Sequence, residues 1–191
     1  MTNKKIIKNV LKMFMYRRLI EEKDIKQILS NINVKDNEIV IKTKKNNYII
    51  YITDEIQSIN KNPEIIKLLK KNEDYNKIIV CDKFEKKTVD QLNQYKNIEI
   101  FTKNYILLNI LDNKFLQPRF EFIDEKELEG LNIKKNQFPK MESIDPVARY
   151  LNLKPGDIIK VIKNNENTLY SVEYNLVINT DISKLFEKKF Y

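Results

Sequence analysis

Chemistry in this chain has few places to come from. Histidine is absent, which removes the commonest general base, the commonest activator of a nucleophile and the commonest metal ligand together. The single cysteine, Cys81, ends the apolar run IIVC. That position suits a buried structural thiol, and one cysteine supplies neither a disulfide nor a cysteine zinc site. Asp145 followed by Pro146 reads as a helix start, the carboxylate accepting free amide hydrogens and the proline filling the first helical position. Arg149, one turn on, then serves packing or a partner contact. No catalytic residue, metal-ligand set or cofactor site emerges. Residues suited to a polyanion do: Lys5, Lys8 and Lys12 recur at three- and four-residue spacing, and Lys42, Lys44 and Lys45 cluster beside Asn46 and Asn47. Each is a point charge fit for sequence-independent contact with phosphates.

The elements that must position these residues follow from hydrophobic spacing. Residues 4–22 carry Ile6, Ile7, Val10, Leu11, Phe14, Met15 and Leu19 on one face and Lys5, Lys8 and Lys12 on another, which predicts an amphipathic helix. A second short helix is expected over 22–30. The segments EIVIKT and YIIYIT flank KKNN and predict a hairpin with the lysines at its tip. Then come a helix over EIIKLLKK, a buried strand KIIVCD, a helix over 84–95, a strand IEIFT and a helix over NYILLNIL. Strands alternating with helices in this way are expected to lie parallel, in a small mixed sheet with helices on its faces.

Beyond residue 112 the periodicity lapses, and there the charge changes too. Residues 1–115 hold 23 Lys or Arg against 15 Asp or Glu, while residues 116–191 hold 12 of each, so the whole net charge of +8 lies in front. A basic part joined to a neutral part predicts that the first meets a polyanion and the second meets protein. We place the domain boundary near 112–117 and expect domains at 1–115 and 116–179, with a tail at 180–191. The second domain is expected to be a small α+β unit: a short helix capped by Asp124 and ended by Gly130, an irregular stretch over 132–144, the Asp145-Pro146 helix stopped by Pro155-Gly156, and a hairpin of DIIKVI and LYSVEYNLVI around the polar turn NNEN. In the tail, Ile182, Leu185, Phe186 and Phe190 have helical spacing. No apolar run reaches membrane-spanning length, and Lys8 and Lys12 interrupt what a signal peptide needs unbroken.

The run QFPKMESIDPVARYLNLKPGDIIKVI, residues 137–162, resembles the assembly domain of the fifth subunit of eukaryotic RNA polymerase II, which is shared with polymerases I and III and is similar to its smaller archaeal counterpart. The carriers stand in order without a gap: Pro139, Asp145, Pro146, Val147, Ala148, Arg149, Tyr150, Leu151, Leu153, Lys154, Gly156, Lys160 and Ile162, continued by Tyr174, Leu176 and Val177. The chain departs from the family at Asn113 and Phe120, where histidines are usual, at Asn175, where an arginine is usual, and in its extension after Ile178. Over the first half the resemblance is one of layout, an opening helix, the hairpin and the later strands suiting the family's N-terminal jaw domain.

The resemblance implies a non-catalytic subunit of a DNA-directed RNA polymerase. Its assembly domain docks on the largest subunit, with Pro139, Asp145, Pro146, Arg149, Tyr150 and Gly156 as interface candidates. Its jaw lies beside downstream double-stranded DNA, making Lys5, Lys8, Lys12, Lys42, Lys44 and Lys45 the phosphate candidates. Other polymerase subunits are expected partners; a membrane, a cofactor and a homo-oligomer are not. The jaw domain belongs to the eukaryotic form, so the resemblance implies a nuclear polymerase, or one encoded by a large DNA virus and found in virion and host cytoplasm. The family's jaw has a restriction-endonuclease-like architecture, and a nuclease or free-standing DNA-binding protein is therefore the rival reading. Metal-dependent cleavage needs converging acids and usually a lysine, whereas Asp36, Glu38 and Asp54 lie toward the open ends of the hairpin with no acid-x-lysine pair on one strand.

Overall fold

A computed structural model describes residues 2–33, 36–112, 118–131, 133–165, 169–181, 184 and 186. The chain divides into two compact units, Met1–Asn109 and Ile110–Tyr191. Ile182, Leu185 and Phe190 of the expected tail, Glu166 and Asn167 of the NNEN turn, and Asn113 lie outside the described residues.

In the first unit, helix α1 (Thr2–Tyr16) buries Ile6, Ile7, Val10, Leu11, Met13 and Phe14 completely. It is shorter than the apolar spacing predicts because Arg18 turns left-handed, with φ 58°. Leu19 is buried beyond the helix. Then follow α2 (Glu22–Asn31), the antiparallel hairpin β1 (Glu38–Lys42) and β2 (Asn47–Ile52), the two-residue β3 (Glu55–Ile56), α3 (Pro63–Lys70), β4 (Asn76–Cys81), the two-residue β5 (Lys83–Phe84), α4 (Lys86–Leu92), β6 (Ile98–Thr102) and α5 (Lys103–Leu108). The main sheet has the order β1-β2-β4-β6, with β2, β4 and β6 mutually parallel. The strands that alternate with helices are thus parallel, as their spacing predicts. β3 pairs with β5 as a separate parallel ribbon, which shortens the α4 helix at its start.

The two central strands are buried on both faces, the condition under which strands read as continuous apolar runs. Tyr48 packs against Phe14 of α1 with ring centroids 4.5 Å apart, while the Tyr51 hydroxyl donates to Glu64 of α3 at 2.5 Å. Residues three apart on a strand point to opposite faces, so helices cover both sides of the sheet. Two polar anchors fix α1. Asn9 Nδ2 donates to the Ile106 carbonyl at 2.9 Å, satisfying an acceptor near the end of α5. Arg17 makes a bidentate pair with Glu99 of β6 at 2.8 and 2.7 Å.

In the second unit, β7 (Arg119–Phe122), α6 (Glu125–Gly130), β8 (Lys140–Glu142), α7 (Pro146–Leu151), β9 (Ile158–Asn165) and β10 (Leu169–Ile178) build a sheet of order β7-β9-β10-β8, in which only the β8 pairing is parallel. β9 and β10 are the predicted hairpin. β7 and β8 go beyond the predicted elements, their stretches having no periodicity of their own. At four and three residues they carry too little alternation to announce themselves and become strands by pairing with the hairpin's two edges. Asp124 caps α6 through Glu127 N–H at 2.7 Å. Gly130 is that helix's last residue, with no left-handed turn. The α7 stop also differs from expectation: it lies at Asn152, left-handed at φ 55°, ahead of Pro155 and Gly156.

Candidate functional site

Four groupings in the structure are candidates for function, three in the first unit and one in the second. Lys5 and Lys8 project from the outer face of α1 and are exposed; Lys12 is half-buried. Lys4, not singled out by spacing, is exposed too, and neither it nor Lys5 nor Lys8 has an ion pair among the described residues. At the hairpin tip Lys42, Lys44 and Lys45 are exposed, and the turn is closed by Thr43, whose N–H and hydroxyl both donate to the Asn46 carbonyl. Lys44 differs from its neighbours in donating to Glu21 at 2.6 Å. Glu21 also pairs with Lys23 at 2.7 Å, and hydrogen bonds from Lys23 and then Lys44 hold its carboxyl down to about 2. A cleft of about 250 Å³ separates the tip from α2, floored by Leu19, Ile20 and Ile28, with Lys42 and Lys44 on its rim.

The acids foreseen as nuclease candidates do not converge. Asp36 accepts from Asn33 Nδ2 at 3.0 Å, and Glu38 pairs with Lys71 at 2.5 Å. Asp54 instead joins two residues that sequence reading passed over. Lys103 Nζ lies 3.2 Å from Asp54 and 2.9 Å from Asp82. Burial opposes the charge on Lys103, but its hydrogen bonds to Asp82 and Asp54 outweigh it and raise the ammonium above its ordinary value. A signal was present: YIIYIT, KIIVC and IEIFT each run into a charged residue at the same end, and parallel strands bring those ends together. Among the described residues, no group of three or more Asp, Glu, His or Cys is disposed to hold a metal ion. Cys81, beneath this cluster, is fully buried, and burial pushes its thiol up to about 12.

In the second unit the interface candidates separate by depth. Asp145 Oδ1 accepts from Val147 N–H at 2.8 Å, and Pro146 occupies the first helical turn, so the predicted helix start is present. Arg149 is half-buried and Pro139 exposed. Gly156 is exposed, sits at φ 97° and donates its N–H to the Val177 carbonyl at 2.8 Å. Tyr150, in contrast, is 0% exposed; its side chain belongs to the core and holds α7 in place, a correction to its reading as a contact residue. Glu127 gathers Lys160 at 2.7 Å and the Tyr174 hydroxyl at 3.0 Å on one face of the sheet. Asn175 has a buried Oδ1 with no donor among the described residues. An arginine there presents donors only and leaves no such acceptor.

The family model described as RNA polymerase Rpb5, C-terminal domain, matches residues 108–177. DNA-directed RNA polymerase subunit 5 of Acanthamoeba polyphaga mimivirus is 30% identical over 149 residues, 75% of this chain and 72% of its own length. That stretch is longer than the second unit and so includes part of the first. The DNA-directed RNA polymerases I, II, and III subunit rpabc1 of Dictyostelium discoideum is 29% identical over 100 residues, covering 50% of this chain and 51% of its own. The DNA-directed RNA polymerase subunit Rpo5 of Archaeoglobus fulgidus is 36% identical over 72 residues, 36% of this chain but 95% of its own. The chain belongs to the family of DNA-directed RNA polymerase subunit 5.

Proposed function

We propose that this subunit contributes no catalytic residue to its polymerase, docks through its second unit on the largest subunit, and sets its first unit beside downstream DNA as part of the jaw. The docking reading is carried by the unbroken run DPVARYLNLKPGDIIKVI inside the matched residues 108–177. There Asp145, Pro146 and Gly156 all perform the backbone tasks their residue types suit. Arg149 inside that run and Pro139 ahead of it are the surface contacts of this reading, while Tyr150 is part of the core. The deciding experiment is a pull-down from the native cell or virion, in which both large catalytic subunits are expected to accompany this chain. Their absence overturns the reading. The Arg149→Glu variant is expected to weaken co-purification with the largest subunit while leaving nucleotide addition by the assembled enzyme unchanged.

The jaw reading rests on the charge excess of residues 1–115 and on a mixed sheet covered by helices on both faces, a layout compatible with a restriction-endonuclease-like architecture. The α1 lysines, led by Lys5 and Lys8, are the stronger phosphate candidates, because Glu21 already engages Lys44. A nuclease is the second reading, favoured by the single observation that Asp54, Asp82 and Lys103 meet at one end of the parallel strands. Incubation of the purified chain with plasmid and magnesium separates the two, cleavage supporting the nuclease. The viral relative makes virion and host cytoplasm the location to test first, with the nucleus the alternative for a cellular source.

A further inference from the structure

The sheet of the second unit ends on one side at an incomplete edge. β8 covers β10 only along Leu176–Ile178. Its last upstream hydrogen bond runs from Leu176 N–H to the Pro139 carbonyl at 2.8 Å. In a parallel ladder the next bond would come from the N–H of residue 139 to the carbonyl of Tyr174. Proline has no N–H, so the ladder stops there. Val177, meanwhile, donates to the Asp157 carbonyl and accepts from Gly156 on the β9 side. Alternation along the strand then puts the N–H and C=O groups of Tyr174, Val172 and Tyr170 on the same open edge as Leu176. None of these backbone groups has a partner on that edge among the described residues.

The side chains beside this edge are apolar and uncovered. Tyr170 is 62% and Val172 38% exposed, on the face where Tyr174 leans toward Phe138. Natural edge strands are usually blunted by charges, proline or bulges; here the proline stands on the neighbouring strand, where it opens the edge. Lys140, exposed and without an ion pair among the described residues, marks the end at which β8 stops. A row of free main-chain donors and acceptors flanked by apolar side chains is the recognition surface for an added strand.

We propose that β10 receives an extended segment of the polymerase's largest subunit, which continues the sheet along Tyr170–Tyr174. The segment has about five residues, the length that spans three outward-facing backbone positions, with apolar side chains over Tyr170 and Val172 and an acidic residue at the end beside Lys140. The inference rests on the docking reading above and specifies its chemistry. Strand addition gives affinity through the main chain and selectivity through alternate side chains, so neutral overall charge in this half is no obstacle.

The full-length chain, free and co-expressed with the largest subunit of its own polymerase, tests this by hydrogen exchange. Peptides covering 169–174 are expected to gain protection at least tenfold in the complex. Val172→Pro removes one outward N–H without touching the β9 ladder, and its affinity is expected to fall about tenfold, the effect of one or two lost main-chain hydrogen bonds. Val172→Thr, which keeps the N–H, is expected to bind within about threefold of the parent. Unchanged exchange on binding overturns the proposal even if Val172→Pro fails to fold. Protection already present in the free monomer assigns the edge to the chain's own residues 180–191, and protection that rises with concentration assigns it to a second copy; either result overturns the proposal but leaves docking intact. If the wild-type chain does not bind the largest subunit at all, the docking reading falls and this inference falls with it.

Discussion

At the scale of single residues, asparagine does in this chain what glycine does elsewhere. Glycine occurs twice, yet Asn72, Asn97, Asn109 and Asn152 all adopt left-handed backbone. Asparagine is the side chain that tolerates that region best, because its short amide bonds locally to the backbone. Asn152 ends α7, so Asn152→Gly is expected to leave stability unchanged or raise it slightly. Asn152→Val is expected to cost about 1 to 2 kcal/mol, read from chemical denaturation. Arg17 is the other residue on which much depends: its side chain is 3% exposed and its partner Glu99 21%. Arg17→Ala strands a partly buried carboxylate and is expected to destabilise the chain by about 3 kcal/mol, whereas the paired change Arg17→Met with Glu99→Leu recovers most of that loss.

At the scale of elements, caps and ties decide where helices begin and what they hold. Asp145 satisfies an amide at the start of the six-residue α7, a helix too short to be stable by propensity alone. Asp145→Ala is expected to lower the melting temperature by an amount equivalent to about 1 kcal/mol. It should weaken docking only as far as α7 frays. Glu21 joins the start of α2 to the hairpin tip through Lys44. Its carboxyl is held at about 2 in the folded chain against an ordinary 4.5. A carboxyl depressed by folding stabilises above its unfolded value and loses that contribution as pH falls through the window from 4.5 to about 2. Glu21→Gln is therefore expected to melt slightly below the parent at neutral pH and level with it near pH 2, the difference small because the pair is exposed to solvent.

At the scale of the whole molecule, charge is divided between a basic first unit and a neutral second one. If the first unit faces DNA, the salt dependence of elongation-complex stability reports how many lysines take part. Replacing Lys5, Lys8 and Lys12 with glutamine is expected to flatten the logarithmic salt slope by at least the share of the exposed Lys5 and Lys8, about two phosphate contacts, with the half-buried Lys12 adding less. Replacing Lys42, Lys44 and Lys45 is expected to remove at most about two, since Lys44 is engaged by Glu21. An unchanged slope for both sets removes DNA from the jaw reading and leaves a structural adaptor whose basic surface faces protein.

The amino-acid sequence by itself determined the order of the first unit's elements apart from the two-residue β3 and β5, the parallel setting of its later strands, the Asp145-Pro146 helix start and the family, because each is written in local spacing or in one contiguous run. What sequence reading missed is non-local. β7 and β8 exist because a neighbouring strand offers them hydrogen bonds, and Tyr150 is core because folding buries it completely, which its spacing on a six-residue helix does not announce. Asp54, Asp82 and Lys103 stand 49 residues apart from first to last and meet only because three parallel strands end at one level. Lys44 looked like its neighbours until folding set Glu21 beside it. The role of Pro139 follows the same rule: in sequence it belongs to an irregular stretch and to the interface candidates, and only pairing with β10 shows that its missing N–H ends the β8 ladder there.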